Sequence, residues 1–360
     1  MKPSINWLLV FIPITLALEH GGEFPASAIF FSAALAILPI AALIVRSTEH
    51  LSTHTGDTIG GLLNATFGNA PELIIALVAL HAGYLDMVRA SLIGAILANL
   101  LLALGVAFLL GGVRYRDQTY NAGASRVYST MMLLAAMSLA VPSAFSRYFA
   151  PEGTMRSEQM LNLGVAGVLL FAYALYLFFA LKTHPGWFES AGEGDHGHDP
   201  EKAWSAPRAV ASLVVAAVLA AWMSEILVGA AEGAGRALGM SQVFIGIVLL
   251  AIVGGAAESG SAIAVAMKNK MDLSLSIALG SSIQIALFVA PVLVFASYFI
   301  APEPLELSFS RAEVGSLFLG VLIGTVVCGD GRTNWFKGAQ LLALYLIVAT
   351  VLYLLPSQSP

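Results

Sequence analysis

Long apolar stretches follow one another along this chain with little between them: near residues 5–19, 26–46, 57–82, 87–112, 126–146, 158–182, 206–230, 241–268, 273–300, 313–329 and 339–355. A helix of about 20 apolar residues crosses the ~30 Å hydrocarbon core of a bilayer. Within that core an unbroken backbone ladder is available only to helices and closed barrels. The pattern predicts an all-α integral membrane protein of about 11 transmembrane helices. Composition agrees, with 58% hydrophobic and 11% charged residues, where soluble domains carry roughly 25% charge. A soluble enzyme is excluded. So is a nucleic-acid binder, since 17 Lys+Arg face 22 Asp+Glu, and such binders need an excess of positive charge. The single cysteine, Cys328, excludes a disulfide framework and a Cys-rich metal site.

The first stretch, Trp7–Leu18 after Lys2, lacks a small-x-small cleavage site before Glu19 and reads as a retained helix. With the N-terminus inside, Lys and Arg divide twelve to five in favour of the inner loops. By the positive-inside rule this places the N-terminus in the cytoplasm and the C-terminus outside, in the inner (plasma) membrane of a bacterial cell. One segment, 183–205, is polar, acidic and rich in turn formers, and it falls on the cytoplasmic side. It divides the chain into an N-terminal extra helix (1–24), a first five-helix half (25–182), the linker, and a second five-helix half (206–356).

The halves repeat. Gly60 precedes Glu72 by twelve residues, as Gly246 precedes Glu258. Asp86 and Asp272 each follow the glutamate by fourteen, and Gly94 and Gly280 by twenty-two. Glu49 precedes Gly56 by seven, as Glu232 precedes Gly239. Five spans per unit invert the second copy relative to the first, the arrangement of many secondary transporters. There the substrate site lies at the midplane, on Gly/Pro-interrupted segments in matching positions. Gly68-Asn69-Ala70-Pro71-Glu72 and Gly254-Gly255-Ala256-Ala257-Glu258 are such segments.

Glu72 and Glu258 sit mid-segment, at least ten residues from the nearest Lys or Arg. A carboxylate in hydrocarbon is unstable unless protonated, paired or bound to a cation. A symmetric pair therefore has two stable loadings: a divalent cation on ionised groups, or protons on neutral ones. Burial and like charge raise the proton affinity, and a cation's charge lowers it. This is the physical basis of exchange.

The neighbours suit a hard cation. Gly68 and Pro71 are expected to break the helix and free carbonyls, with Gly254 and Gly255 doing so in the second half. Asn69, Asn99, Ser281, Ser282 and Gln284 add side-chain oxygens, for which interhelical hydrogen bonding is the plainer role. All-oxygen ligation favours Ca²⁺, then Mn²⁺, and disfavours Mg²⁺. Glu49 and Glu232 are candidates for proton relay or simply solvated helix ends. Glu225 is a candidate liner of an access path or a paired structural group. Asp86 and Asp272 are expected in loops. The run Asp195-His196-Gly197-His198-Asp199 reads as hydrated linker more readily than as a metal sensor. Gly254-Gly255 lacks the strand-then-helix context of a dinucleotide fingerprint, and no HExxH or GxSxG stands in the spans. No organic cofactor is expected, and the partners are the transported ions and the lipid bilayer; the oligomeric state is not legible.

The stretches GGLLNATFGNAPELIIAL and AMKNKMDLSLSIALGSSIQIALFVAPVLV, with the tail DGRTNWFKGAQLLALYLI, resemble the calcium/proton exchanger (CAX) family of the calcium/cation antiporter superfamily. The resemblance runs from about Arg46 to Leu355. It implies a ten-helix inverted-repeat core with one extra N-terminal helix, alternating access, and export of cytosolic Ca²⁺ against proton influx. It also implies that Glu72 and Glu258 are the shared Ca²⁺/proton carboxylates, with Asn69 and Gln284 beside them. The helices near 26–46 and 206–230 would be the sliding gate. This chain departs from the family pattern GNAAEH at Gly255 and Ser259, and carries Ala98 where the first half usually has serine. Those departures leave open a different couple on the same fold: Na⁺/Ca²⁺, Mn²⁺/H⁺ or monovalent cation/H⁺.

Overall fold

The computed structural model describes residues 5–149, 154–187 and 204–354. The Asp195–Asp199 run and most of the linker lie outside the described residues. In chain order the helices are α1 (Ile5–His20), α2 (Ala26–Ser52), α3 (Gly56–Phe67), α4 (Ala70–His81), α5 (Leu85–Tyr115), α6 (Ala122–Phe149) and α7 (Met155–Thr183). Then come α8 (Ala206–Leu238), α9 (Gln242–Gly254), α10 (Ala256–Ala266), α11 (Met271–Ile300), α12 (Arg311–Val327) and α13 (Trp335–Leu354). Two short strands, β1 (Asp117–Thr119) and β2 (Arg332–Asn334), pair antiparallel.

Among the described residues seven helices are long and apolar enough to cross a membrane, and an eighth if the bent pair α9–α10 is one span. The molecule is a predominantly helical membrane protein. The remaining helices fall on the other apolar stretches but are shorter, because α3 and α4 are separate pieces and α12 has only 17 residues.

Compactness groups these helices into two units, each drawing on both halves of the sequence. The first holds residues 1–91, 195–257 and 353–360. Its axis is α2 against α8, helices of 27 and 33 residues, roughly 40 and 50 Å long at 1.5 Å per residue. Their buried faces are rich in alanine: Ala33, Ala36 and Ala41 on α2, and Ala216, Ala220, Ala231 and Ala234 on α8. Phe30, Ile37, Ile40 and Ile44 fill the spaces with Met223 and Leu227. Small residues let helices approach closely where lipid supplies no hydrophobic drive to pack. α4 and α9 complete this unit's core through Ile75, Leu250 and Val253.

The second unit holds residues 92–194 and 258–352. α11 packs there against α5, α6 and α7. A Cβ on Gly338 of α13 would lie 2.6 Å from Gly105 O of α5, so only glycine permits that backbone-to-backbone crossing.

Between α11 and α12 the chain runs extended, with Leu305, Leu307 and Phe309 fully buried. Buried backbone outside a helix must find other partners. Asn162 supplies two, donating from Nδ2 to Leu305 O (2.7 Å) and accepting at Oδ1 from Leu307 N (3.0 Å). Ser297 Oγ accepts from Leu305 N, Ser143 Oγ accepts from Phe309 N, and Arg147 donates to Phe309 O.

Candidate cation site

The first motif breaks where the sequence predicts. α3 ends at Phe67 and α4 begins at Ala70, with Pro71 in its first turn. Proline fits there because the first-turn amides have no intrahelical acceptor, and lacking an N–H it leaves the carbonyl four residues back unclaimed. The break leaves some carbonyls engaged: Gly68 N donates to Asn64 O and Leu73 N to Asn69 O. The second motif breaks without proline, at Gly255, and the two pieces diverge by 58°.

Each break puts its glutamate in the first turn of the following helix, Glu72 in α4 and Glu258 in α10. The first-turn N–H groups and the helix dipole favour negative charge at such a position. In the first unit both carboxylate oxygens of Glu72 are shielded from solvent, and neither has a hydrogen-bond partner on another described residue. Asn69, directly N-terminal to α4, is 2% exposed. Gly254 packs on the Glu72 side chain, close enough that a Cβ there would sit 3.0 Å from Glu72 Cγ. A buried, ionisable oxygen pair of this kind is stable either protonated or cation-bound.

In the second unit Glu258 is 8% exposed. Ser281 and Ser282 of α11 are buried, and Asn99 of α5 is 2% exposed with Nδ2 lacking a partner among the described residues. The α5 and α11 segments touch, Ser282 Oγ lying 3.5 Å from Ile96 O and 2.9 Å from Ala278 O. Asn99 and the residues after Gln284 both lie in wide π-type turns, 98–103 in α5 and 285–289 in α11. Such turns recur at functional sites, and these two stand at matching places in the two motifs.

The outlying carboxylates separate. Glu232 is paired with Arg236 at 3.2 Å near the end of α8, both exposed. Glu225 lies on the exposed side of α8, on the stripe of Val214, Val218 and Trp222. Glu49 is half-buried near the end of α2. Asp86 and Asp272 are not in loops as expected but in the first turns of α5 and α11. The helix dipole explains both placements. Asp86 is bridged to Arg89, whereas Asp272 accepts the Asn121 N–H at 2.6 Å.

Sequence reading missed a stripe on α11. Asp272, Ser276, Gly280 and Gln284 recur every fourth residue and are all partly exposed, whereas Ser274, Ala278 and Ser282 are fully packed. Tyr128 OH lies 3.1 Å from Ser276 Oγ, and a Cβ on Gly280 would meet nothing within 4 Å. Polar residues facing lipid at this depth are costly, which makes the stripe a candidate hydrated face. The matching positions in the first half, Ala90, Gly94 and Ala98, are buried. The periodicity was available as a signal, but serine and glycine are too common in membrane helices to stand out.

The sodium/calcium exchanger protein family model matches residues 26–182 and 208–354. The chain is 42% identical to a Ca²⁺/H⁺ antiporter of Aphanothece halophytica, across 97% of this chain and 96% of that protein. It is 40% identical to the Ca²⁺/H⁺ antiporter ChaA of Bacillus subtilis, across 92% and 94%. Among solved structures, the selenium-substituted Ca²⁺/H⁺ antiporter protein YfkE superposes with a TM-score of 0.82 at 37% identity, covering 98% of this chain and 99% of the other. The two glutamate motifs, the broken helices that carry them and these likenesses together make the chain a member of the sodium/calcium exchanger protein family, similar throughout its length to those members called Ca²⁺/H⁺ antiporters.

Proposed function

We propose that the protein is a secondary active transporter, a Ca²⁺/H⁺ antiporter that exports cytosolic Ca²⁺ in exchange for protons by alternating access. The observation that carries this reading is Glu72: a carboxylate whose oxygens are buried without a partner on any other described residue, at the start of a half-helix inside an apolar bundle. Such a group needs a proton or a cation, and exchanging one for the other is the transport cycle. The names of the relatives at about 40% identity support the same couple.

In this reading Glu72 and Glu258 carry both ions. Asn69 and Gln284 are the side-chain ligands, with Asn99, Ser281 and the carbonyls of Gly68, Gly254 and Gly255 as further oxygen donors. Glu49 and Glu225 serve proton or cation access, whereas Glu232, bridged to Arg236 at 3.2 Å, is a surface ion pair. The architecture is eleven spans, an extra helix (1–24) before two inverted five-helix repeats (25–182 and 206–356) joined by the acidic linker (183–205). The shared break-then-glutamate pattern and the matched π-type turns support that repeat. The N-terminus and linker face the cytoplasm of a bacterial plasma membrane and the C-terminus faces outward, as the Lys/Arg bias favours.

Everted membrane vesicles test the couple. An imposed pH gradient, acid inside, drives Ca²⁺ uptake that a protonophore abolishes. Uptake driven by a Na⁺ gradient instead, or Mn²⁺ or K⁺ taken up in preference to Ca²⁺, contradicts it.

A further inference from the structure

At one end of the second unit three loops are knitted together. Tyr115 OH donates to Met267 O, Gln118 Nε2 donates to Ala266 O and Asn269 Oδ1, and β1 pairs with β2 from Asp117↔Asn334 to Thr119↔Arg332. Arg116 and Asn269 hold φ values of 63° and 62°, conformations that bulky side chains avoid unless neighbours fix them. The platform is therefore pinned.

It is also strongly basic. Arg114, Arg116, Lys268, Lys270 and Arg332 all project to solvent from it. Three carboxylates share the platform, and two are engaged: Asp330 is held by Lys337 at 2.6 Å and Asp272 accepts the Asn121 N–H. With Asp330 offset by Lys337, Asp117 and Asp272 stand against the five exposed cations, and the platform keeps a positive excess. Beside β2, Trp335 and Phe336 are 51% and 57% exposed and stack edge to face with ring centroids 5.7 Å apart. Exposed Trp at a helix end marks the level of the lipid headgroups.

We propose that this platform is a docking surface for anionic phospholipid headgroups of the cytoplasmic leaflet. The phosphate is taken by the guanidinium groups of Arg116 and Arg332, whose planar forks match phosphate oxygens. Lys268 supplies a further charge, and Trp335 and Phe336 seat the acyl-chain side of the headgroup. Basic residues just inside a leaflet bearing negative lipids are attracted to it over a Debye length. The surface uses no residue of the glutamate motifs, and it does not depend on which ions are exchanged.

The full-length protein in nanodiscs tests this. With phosphatidylglycerol replacing part of the phosphatidylcholine, the melting temperature rises, and the rise fades in high salt. The variant Arg116→Gln/Lys268→Gln/Arg332→Gln melts like wild type in pure phosphatidylcholine and needs at least about tenfold more phosphatidylglycerol for the same rise. Arg156→Gln/Arg311→Gln, on exposed arginines outside the platform, responds as wild type. An undiminished response in the triple variant overturns the proposal. Equal stabilisation of wild type by soluble glycerol phosphate also overturns it, because the ligand would then be a free phosphate.

Discussion

The backbone of Gly254 lies against the side chain of Glu72, with a hypothetical Cβ only 3.0 Å from Glu72 Cγ. One broken segment thus limits where the carboxylate of the other can stand, since both belong to the same compact unit. Gly254→Ala is expected to displace Glu72 and weaken Ca²⁺ affinity by about 10–100-fold, as when a neighbour that orients a metal ligand is changed. The concentration dependence of Ca²⁺ uptake in vesicles reads this out; an unchanged half-saturation would show that the contact positions nothing.

The partly exposed stripe on α11 predicts a pattern of thiol reactivity. A cysteine at Gly280 reacts with a membrane-impermeant thiol reagent, and one at Ala278 does not. Native Cys328, fully buried, stays silent until the protein is unfolded in detergent. Equal labelling at positions 278 and 280 would mean that the stripe is not the hydrated face.

Asn162 holds two buried backbone groups, and removing its amide leaves both without a partner. Asn162→Ala is expected to lower stability by about 2–4 kcal/mol. Thermal unfolding in detergent measures this, and a loss below about 1 kcal/mol would mean that water replaces the side chain.

Asp330 carries the pH-dependent contact. Slight burial works to raise its carboxyl, but hydrogen bonds from Lys337 Nζ and the Arg332 N–H outweigh it and hold the group below its usual 3.8. A depressed carboxylate adds stability above its unfolded value, and that stability is lost as pH falls through the folded one. The melting advantage of wild type over Asp330→Asn should therefore be largest above about pH 5 and shrink toward about pH 3. An advantage that grows on acidification reverses the sign and refutes the pairing.

The helices were legible because apolar length is a strong, local signal, and the breaks were legible because Gly68, Pro71 and Gly255 each act through their own backbone. Glu72 and Glu258 stood out as acids far from any Lys or Arg in sequence. What was hidden depended on tertiary neighbours. Nothing in the sequence sets Gly254 on Glu72, or lends Asn162 to a segment more than a hundred residues away. Asp86 and Asp272 were misplaced into loops because a polar residue between two apolar runs fits a loop and a first helical turn equally well. Only the dipole of the folded helix tells them apart. Glu232 illustrates the same limit, since its i,i+4 partner Arg236 makes it a surface ion pair.

The central claim is that one carboxylate pair carries both ions, and paired flux measurement tests it most directly. Purified protein is reconstituted in proteoliposomes, a Ca²⁺ gradient is imposed, and Ca²⁺ and proton movements are recorded together. Wild type is expected to move protons against Ca²⁺ in a fixed ratio, and Glu72→Gln and Glu258→Gln to abolish both fluxes at once. Ca²⁺ flux that persists in either variant without proton counterflow would contradict a shared site.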